Sequence, residues 1–369
     1  MIKKNTRNIF KWYIILLIFT SIGYCCGIIT FRYKSLPYGT LKTLCHAIKS
    51  EPVKYKKNRN IKTAVLDKHF IDPLSTYEKT ILPEVLNNND LNVQISSLLI
   101  ELNDFYHAYN NIEILSSQLD GNIFRLDFKY YNLCYSSYAY FKSVRSKKKC
   151  DTAINIIPGS GLNQSSAMFY NDPNNYQSNI DDIAVQYGDV YLYVKPNEDF
   201  LAIHRNGKKI GTVSYVNFLL NKGSSYSALY IIQSIALSKY LKNKYKKLYI
   251  CGLSQGGAAL LISLQSKPDR ALIASGFSVL FDYPYRSNHG QIIIPGYRKY
   301  YTSIKIKQII KNTKTNFLFT YGIMEKGVYG LDAKEKLTLR FFDDMNNVKV
   351  LIHQEGHVYN ESIVHKFFK

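Results

Sequence analysis

The chain has 369 residues, 46% of them hydrophobic, which is too long for one small domain and ample for one large α/β domain with an accessory segment. Its 48 Lys and Arg outweigh 27 Asp and Glu, a formal net charge of +21. Such a surplus draws a protein toward anionic lipid, glycan or nucleic acid. It is equally the drift of a composition heavy in Lys, Asn, Ile and Tyr, and no nucleic-acid-binding motif accompanies it. The six cysteines form no C-x-x-C pair and no His-rich metal spacing appears, so no metal is implied.

Residues 12–31, Trp12 to Phe31, contain no charge, and a run of about 20 apolar residues spans a bilayer as a helix. Lys3, Lys4, Arg7 and Lys11 precede it, and Arg32 and Lys34 follow. The expectation for 1–34 is therefore a basic segment and a single-pass anchor, with the N-terminus inside and the rest translocated. Secretion after signal cleavage is the alternative, although the run is long for a signal peptide and no small-x-small cleavage site stands out. Residues 35–118 read as a basic linker followed by a helical preface, with apolar spacing at Ile95, Leu98, Leu99 and Leu102 and breaks at Pro73 and Pro83.

The pattern changes at Asp120-Gly121, a turn signal. Two strands are expected over 122–131 and 133–144, rich in aromatic and β-branched residues. Cys134 and Cys150 flank the second, a spacing that permits a disulfide in an oxidising compartment without requiring one. Thr152–Ile157 reads as a short buried strand running into Pro158-Gly159-Ser160-Gly161. Further strands are expected over 190–194, 248–251, 271–275, 316–321 and 348–353, with an amphipathic helix over 226–240. Strands alternating with helices imply a mostly parallel sheet covered on both faces, an α/β fold.

Gly252-Leu253-Ser254-Gln255-Gly256 has the form G-x-S-x-G. Alone it is a weak signal. Here a short apolar strand precedes it and a small-residue helix over 257–264 follows, the context of a nucleophile elbow. A serine on such a turn stands clear of the sheet, and side chains at Gly252 or Gly256 would collide with neighbouring elements. The backbone N–H of Gln255 points to where an oxyanion would form.

With this turn, the lead-in hairpin and the glycine turn after Ile157, the region from about 119 to 369 resembles an α/β-hydrolase. The resemblance implies the rest of a catalytic apparatus. A serine hydroxyl needs a base and a group to orient that base. The family places the base after the last strand, where Gly356-His357 follows His353-Gln-Glu; His357 is the expected base and His353 the fallback. The acid should follow the preceding strand, where Gly322-Ile-Met-Glu325 resembles the family's acid turn, with Glu for the more usual Asp. Asp332 is the alternative acid. The second oxyanion donor should come from the loop after the third expected strand, at Ser160, although the family's frequent His-Gly is replaced here by Pro158-Gly159. Residues 276–312 occupy the family's cap position and carry Phe277, Phe281, Tyr283, Tyr285, Tyr297, Tyr300 and Tyr301, as suits an acyl or sugar pocket or a Tyr-rich surface loop. Glu198 to Arg205 borders the usual site as well.

The resemblance implies a membrane-anchored serine hydrolase acting on a small-molecule, lipid or glycan ester, with its catalytic domain outside the cytoplasm and no cofactor. A serine peptidase, an acyltransferase and a non-catalytic envelope-binding module are the alternatives. The sequence leaves the oligomeric state open.

Overall fold

The computed structural model describes residues 104–131, 133–144, 150–161, 163–172, 175–177, 180–202, 204–205, 208–276, 294–296, 301–325, 342 and 344–369. The anchor reading of 12–31, most of the helical preface, Asp332 and the aromatic positions from Phe277 to Tyr300 lie outside them. Among the described residues no helix is long and apolar enough to cross a membrane.

The strands in chain order are β1 (Ile112–Asp120), β2 (Ile123–Tyr130), β3 (Leu133–Lys142), β4 (Thr152–Ile157), β5 (Asp189–Val194), β6 (His204–Arg205), β7 (Lys208–Lys209), β8 (Lys247–Leu253), β9 (Arg270–Ala274), β10 (Asn316–Gly322) and β11 (Val348–His353). The helices are α1 (Ala108–Asn111), α2 (Gln164–Phe169), α3 (Ile180–Ala184), α4 (Thr212–Asn221), α5 (Tyr226–Lys244), α6 (Ala259–Ser266), α7 (Ser303–Lys311) and α8 (Glu361–Phe368). Nine strands form one sheet in the order β1-β2-β3-β5-β4-β8-β9-β10-β11, while β6 and β7 pair apart from it. β1 to β3 form an antiparallel meander, β3 meets β5 antiparallel, and every pairing from β5 to β11 is parallel.

The central strands are continuous apolar runs because both of their faces are covered. Successive residues enter two different cores. Leu248 and Ile250 of β8, with Ala271 and Ile273 of β9, pack on the side of α5, α6 and α7. Tyr249, Cys251 and Leu253, with Leu272 and Ala274, pack on the side of α2, α3 and α8. α5 is buried around most of its girth rather than amphipathic. Two of its buried polar residues are paired internally: Asn155 donates to Ser238 Oγ at 3.1 Å, Gln233 donates to the Ser136 carbonyl at 2.9 Å, and the Tyr193 hydroxyl donates to Gln233 at 2.7 Å.

Two expectations change. Residues 112–118, read as part of the helical preface, belong to the edge strand β1, which pairs with β2 through a bulge between Ile114 and Ser116. Residues 301–312 are core rather than cap: Ile306 and Ile310 of α7 are fully buried, and Tyr301 stacks on Phe105 at 5.3 Å. Cys134 and Cys150, whose pairing the sequence left open, are free thiols, as is buried Cys251.

Candidate active site

β8 lies between β4 and β9 near the middle of the sheet. The chain leaves it extended at Leu253 and turns at Ser254, whose φ is +60°. This left-handed conformation is costly for a residue with a side chain, about 1–3 kcal/mol, and persists only where the surroundings impose it. They do so here by close backbone approach. A Cβ on Gly252 would lie 1.7 Å from the Gly256 carbonyl oxygen, and one on Gly256 would lie 2.1 Å from that of Ile157. The two glycines thus let the turn fold against its own strand and against β4. Residues Ser254–Ala258 form a tight 3₁₀ turn that continues into α6, so the backbone N–H of Gln255 sits at the start of a helical run.

Glu325 and His357 reach the same edge of the sheet from β10 and β11. These strands run parallel to β8, so the loops after all three emerge on one side. After β10 the chain turns through Ile323 N–H to the His353 carbonyl (2.8 Å), Met324 N–H to the Glu355 carbonyl (3.1 Å) and Glu325 N–H to the Gly322 carbonyl (3.2 Å). This folds the Glu325 side chain inward, where it is fully buried. Its Oε1 accepts from the Ser275 hydroxyl and from the Gly322 N–H at 3.3 Å, and lies 3.6 Å from His357 Nδ1. A carboxylate at Nδ1 orients an imidazole so that its Nε2 is free to exchange a proton.

The His357 side chain keeps 26% of its surface exposed and stacks on Tyr176, with ring centroids 5.8 Å apart. The Tyr176 hydroxyl donates to the Ser160 carbonyl at 3.0 Å, tying the histidine to the loop after β4. His353, the fallback base, ends β11 and is buried. Neither of its ring nitrogens has a hydrogen-bond partner among the described residues, and burial pushes its pKa below the ordinary histidine value. Its Nδ1 lies 3.9 Å from Glu355 Oε2.

The loop after β4 is held from several directions. Gly159 N–H donates to Gln177 Oε1 at 2.6 Å, and the Gly159 carbonyl accepts from Lys195 Nζ at 2.6 Å. Lys195, buried at the end of β5, also donates to Gln255 Oε1 at 3.1 Å and pairs with buried Glu198 at 3.1 Å. The expected oxyanion residues Ser160 and Gln255 therefore belong to segments joined through one ammonium group.

Sequence reasoning did not find Lys195, Tyr176, Gln177 or Ser275. One signal was present: a lysine directly after the apolar run Val190–Val194 stands at the carboxyl end of a buried parallel strand, the edge at which sites in open α/β sheets form. The alternative acid Asp332 lies outside the described residues, as do the side chains of His204 and Arg205. No cluster of metal-ligating side chains occurs among the described residues.

An antiparallel lead-in, a parallel sheet with the serine turn after a central strand, and an acid and a histidine after the last two strands decide the fold. It is the α/β-hydrolase fold. No protein-family model matches the sequence, and no curated protein is significantly similar to it. Solved structures of similar shape include a carbohydrate esterase family 15 glucuronoyl esterase from Caldicellulosiruptor kristjansonii, with 13% identity, coverage of 73% of this chain and 82% of that one, and a TM-score of 0.47. An S-formylglutathione hydrolase from Agrobacterium tumefaciens has 11% identity over 69% of this chain and 95% of its own, with a TM-score of 0.42. An acylaminoacyl peptidase from Pyrococcus horikoshii has 15% identity over 69% of this chain and 39% of its own, with a TM-score of 0.41. The strand order and the serine turn, not these likenesses, carry the fold.

Proposed function

We propose that this chain is a serine hydrolase that cleaves an ester bond through an acyl-enzyme, with Ser254 as nucleophile, His357 as base and Glu325 as the acid that orients it. The observation that carries the reading is the buried Glu325 carboxylate beside His357 Nδ1, at the sheet edge where Ser254 is held at φ +60°. A buried carboxylate and a strained serine turn are both costly, and each is explained by the same reaction.

In that reaction His357 Nε2 takes the Ser254 proton as Oγ attacks the carbonyl carbon. The carbonyl oxygen becomes an oxyanion and takes hydrogen bonds from the backbone N–H groups of Gln255 and Ser160. Collapse expels the alcohol, which receives its proton from the imidazolium. Water, deprotonated by the same imidazole, then attacks the acyl-enzyme and releases the acid and the free serine. Glu325 stays ionised throughout, fixing the tautomer and stabilising the imidazolium. The substrate class is a small-molecule, lipid or glycan ester. The reading keeps residues 12–31 as a membrane anchor that holds the catalytic domain on the extracytoplasmic side. Alkaline washing of membranes from cells expressing the full chain separates an anchored protein from a released one.

The decisive experiment is labelling of the full-length protein with a fluorophosphonate, beside Ser254→Ala and His357→Ala. Stoichiometric modification of Ser254 in the wild type and its loss in both variants is the expected result. A folded wild type that does not label removes the hydrolase reading and leaves the non-catalytic binding module. Panels of esters, peptides and acceptor alcohols then separate an esterase from a peptidase or an acyltransferase.

A further inference from the structure

We infer that Lys195 is a positioning residue for the oxyanion hole: its ammonium orients and polarises the Gly159–Ser160 peptide and locks it to the serine turn. The inference rests on the hydrolase reading of Ser254. Its basis is the atom that the lysine grips. The Gly159 carbonyl, 2.6 Å from Lys195 Nζ, belongs to the same peptide group as the Ser160 N–H. In a trans peptide these two point in opposite directions, so fixing the oxygen fixes the direction of the N–H. A cation at the oxygen also draws electron density from the amide and strengthens its N–H as a donor, the cooperativity expected along a hydrogen-bonded chain. The flanking groups are pinned too, with Gly159 N–H on Gln177 and the Ser160 carbonyl on the Tyr176 hydroxyl.

The same ammonium donates to Gln255 Oε1 at 3.1 Å, on the residue that follows the nucleophile. One group therefore sets the spacing between the segments that supply both oxyanion donors. Its third partner is Glu198, 3.1 Å away, with both side chains almost fully buried. Glu198 supplies the charge that lets a lysine sit there at all. A pair kept only for stability has no need to spend its two remaining donors on the two lips of the site.

The test uses the full-length chain, an aryl ester, and a boronate that forms a tetrahedral adduct on serine. Lys195→Met combined with Glu198→Gln removes the pair together and avoids an uncompensated buried charge. The expected kcat falls about 10- to 100-fold, somewhat less than loss of a whole oxyanion donor, while KM stays within about twofold. The boronate inhibition constant rises in parallel. A folded double variant with kcat and boronate affinity within about twofold of the wild type overturns the inference. Should the double variant fail to fold, Lys195→Arg decides, because it keeps the cation beside Glu198 but not the single-nitrogen reach to Gly159 and Gln255. Its kcat is expected to drop at least about threefold at unchanged KM, and equality with the wild type overturns the proposal. A folded wild type that neither turns over the ester nor labels with a fluorophosphonate removes the underlying hydrolase reading, whereas an active wild type with an unaffected variant removes the role of Lys195 alone.

Discussion

Glu325 carries a carboxylate into the interior, and what surrounds it says why. Oε1 faces two donors, Ser275 and the Gly322 N–H, and beyond them the His357 imidazole. Glu325→Gln keeps the shape but removes the charge that stabilises an imidazolium. It also places an amide where only an acceptor fits, which favours the wrong tautomer. The expected outcome in steady-state ester hydrolysis is a kcat loss of about a thousand- to ten-thousand-fold with KM little changed. A loss below about tenfold would hand the orienting role to Asp332. The placement of Ser254, Glu325 and His357 just past the ends of their strands was legible in the sequence, because each is defined by its distance from a strand end. Ser275 and Lys195 were not, because their partners are remote in the chain. Ser275 meets Glu325 across 50 positions, and Lys195 meets Gly159 and Gln255 across 36 and 60. No local pattern encodes such a meeting.

Among the elements, the buried parallel strands were the easiest to read. β4 and β11 fall on their expected residues, and β8 and β10 extend theirs by one to three, since short apolar runs with both faces covered leave little ambiguity. β1 was misread for the converse reason. It lies at the sheet edge with most of its residues exposed, a bulge breaks its alternation, and Ile112, Leu115 and Leu119 mimic helical spacing. α8 shows what an edge element contributes to the site. It starts four residues after His357, is capped by the Asn360 side chain on the Ile363 N–H at 3.0 Å, and buries Val364, Phe367 and Phe368. Phe367 packs edge-on against Tyr249 of β8 at 6.0 Å, and its carbonyl accepts from Arg270. Phe367→Ala should cost about 3 kcal/mol in urea unfolding, the usual loss for emptying a buried aromatic site. A cost under about 1 kcal/mol would mean that α8 is only loosely docked. Turnover at low temperature should survive, because the ring touches none of the proposed catalytic groups.

At the scale of the whole molecule, the topology gathers the chemistry on one edge of the sheet, and the charge governs how the fold answers acid. Two effects act in separate windows. The first belongs to His353, whose burial depresses its pKa in the folded state while the unfolded chain keeps the ordinary value of about 6.5. As pH falls through that value, the unfolded state takes up the proton first, so the stability contributed by the neutral buried ring declines from about pH 6.5 down to the folded pKa and is fully present only above that window. The second belongs to the excess of 48 basic over 27 acidic side chains. Neutralising the carboxylates below about pH 4.5 removes the only opposing charge and adds self-repulsion. Melting temperatures of the wild type and His353→Leu, followed together from pH 7.5 to 4, separate the two. The wild type should lose ground against the variant as pH falls below about 6.5, while both fall in parallel below about 4.5, because only the first effect requires the imidazole. Parallel curves across the upper window would instead mean that the ring takes up its proton as readily in the fold as in the unfolded chain, and would return His353 to contention as a working base.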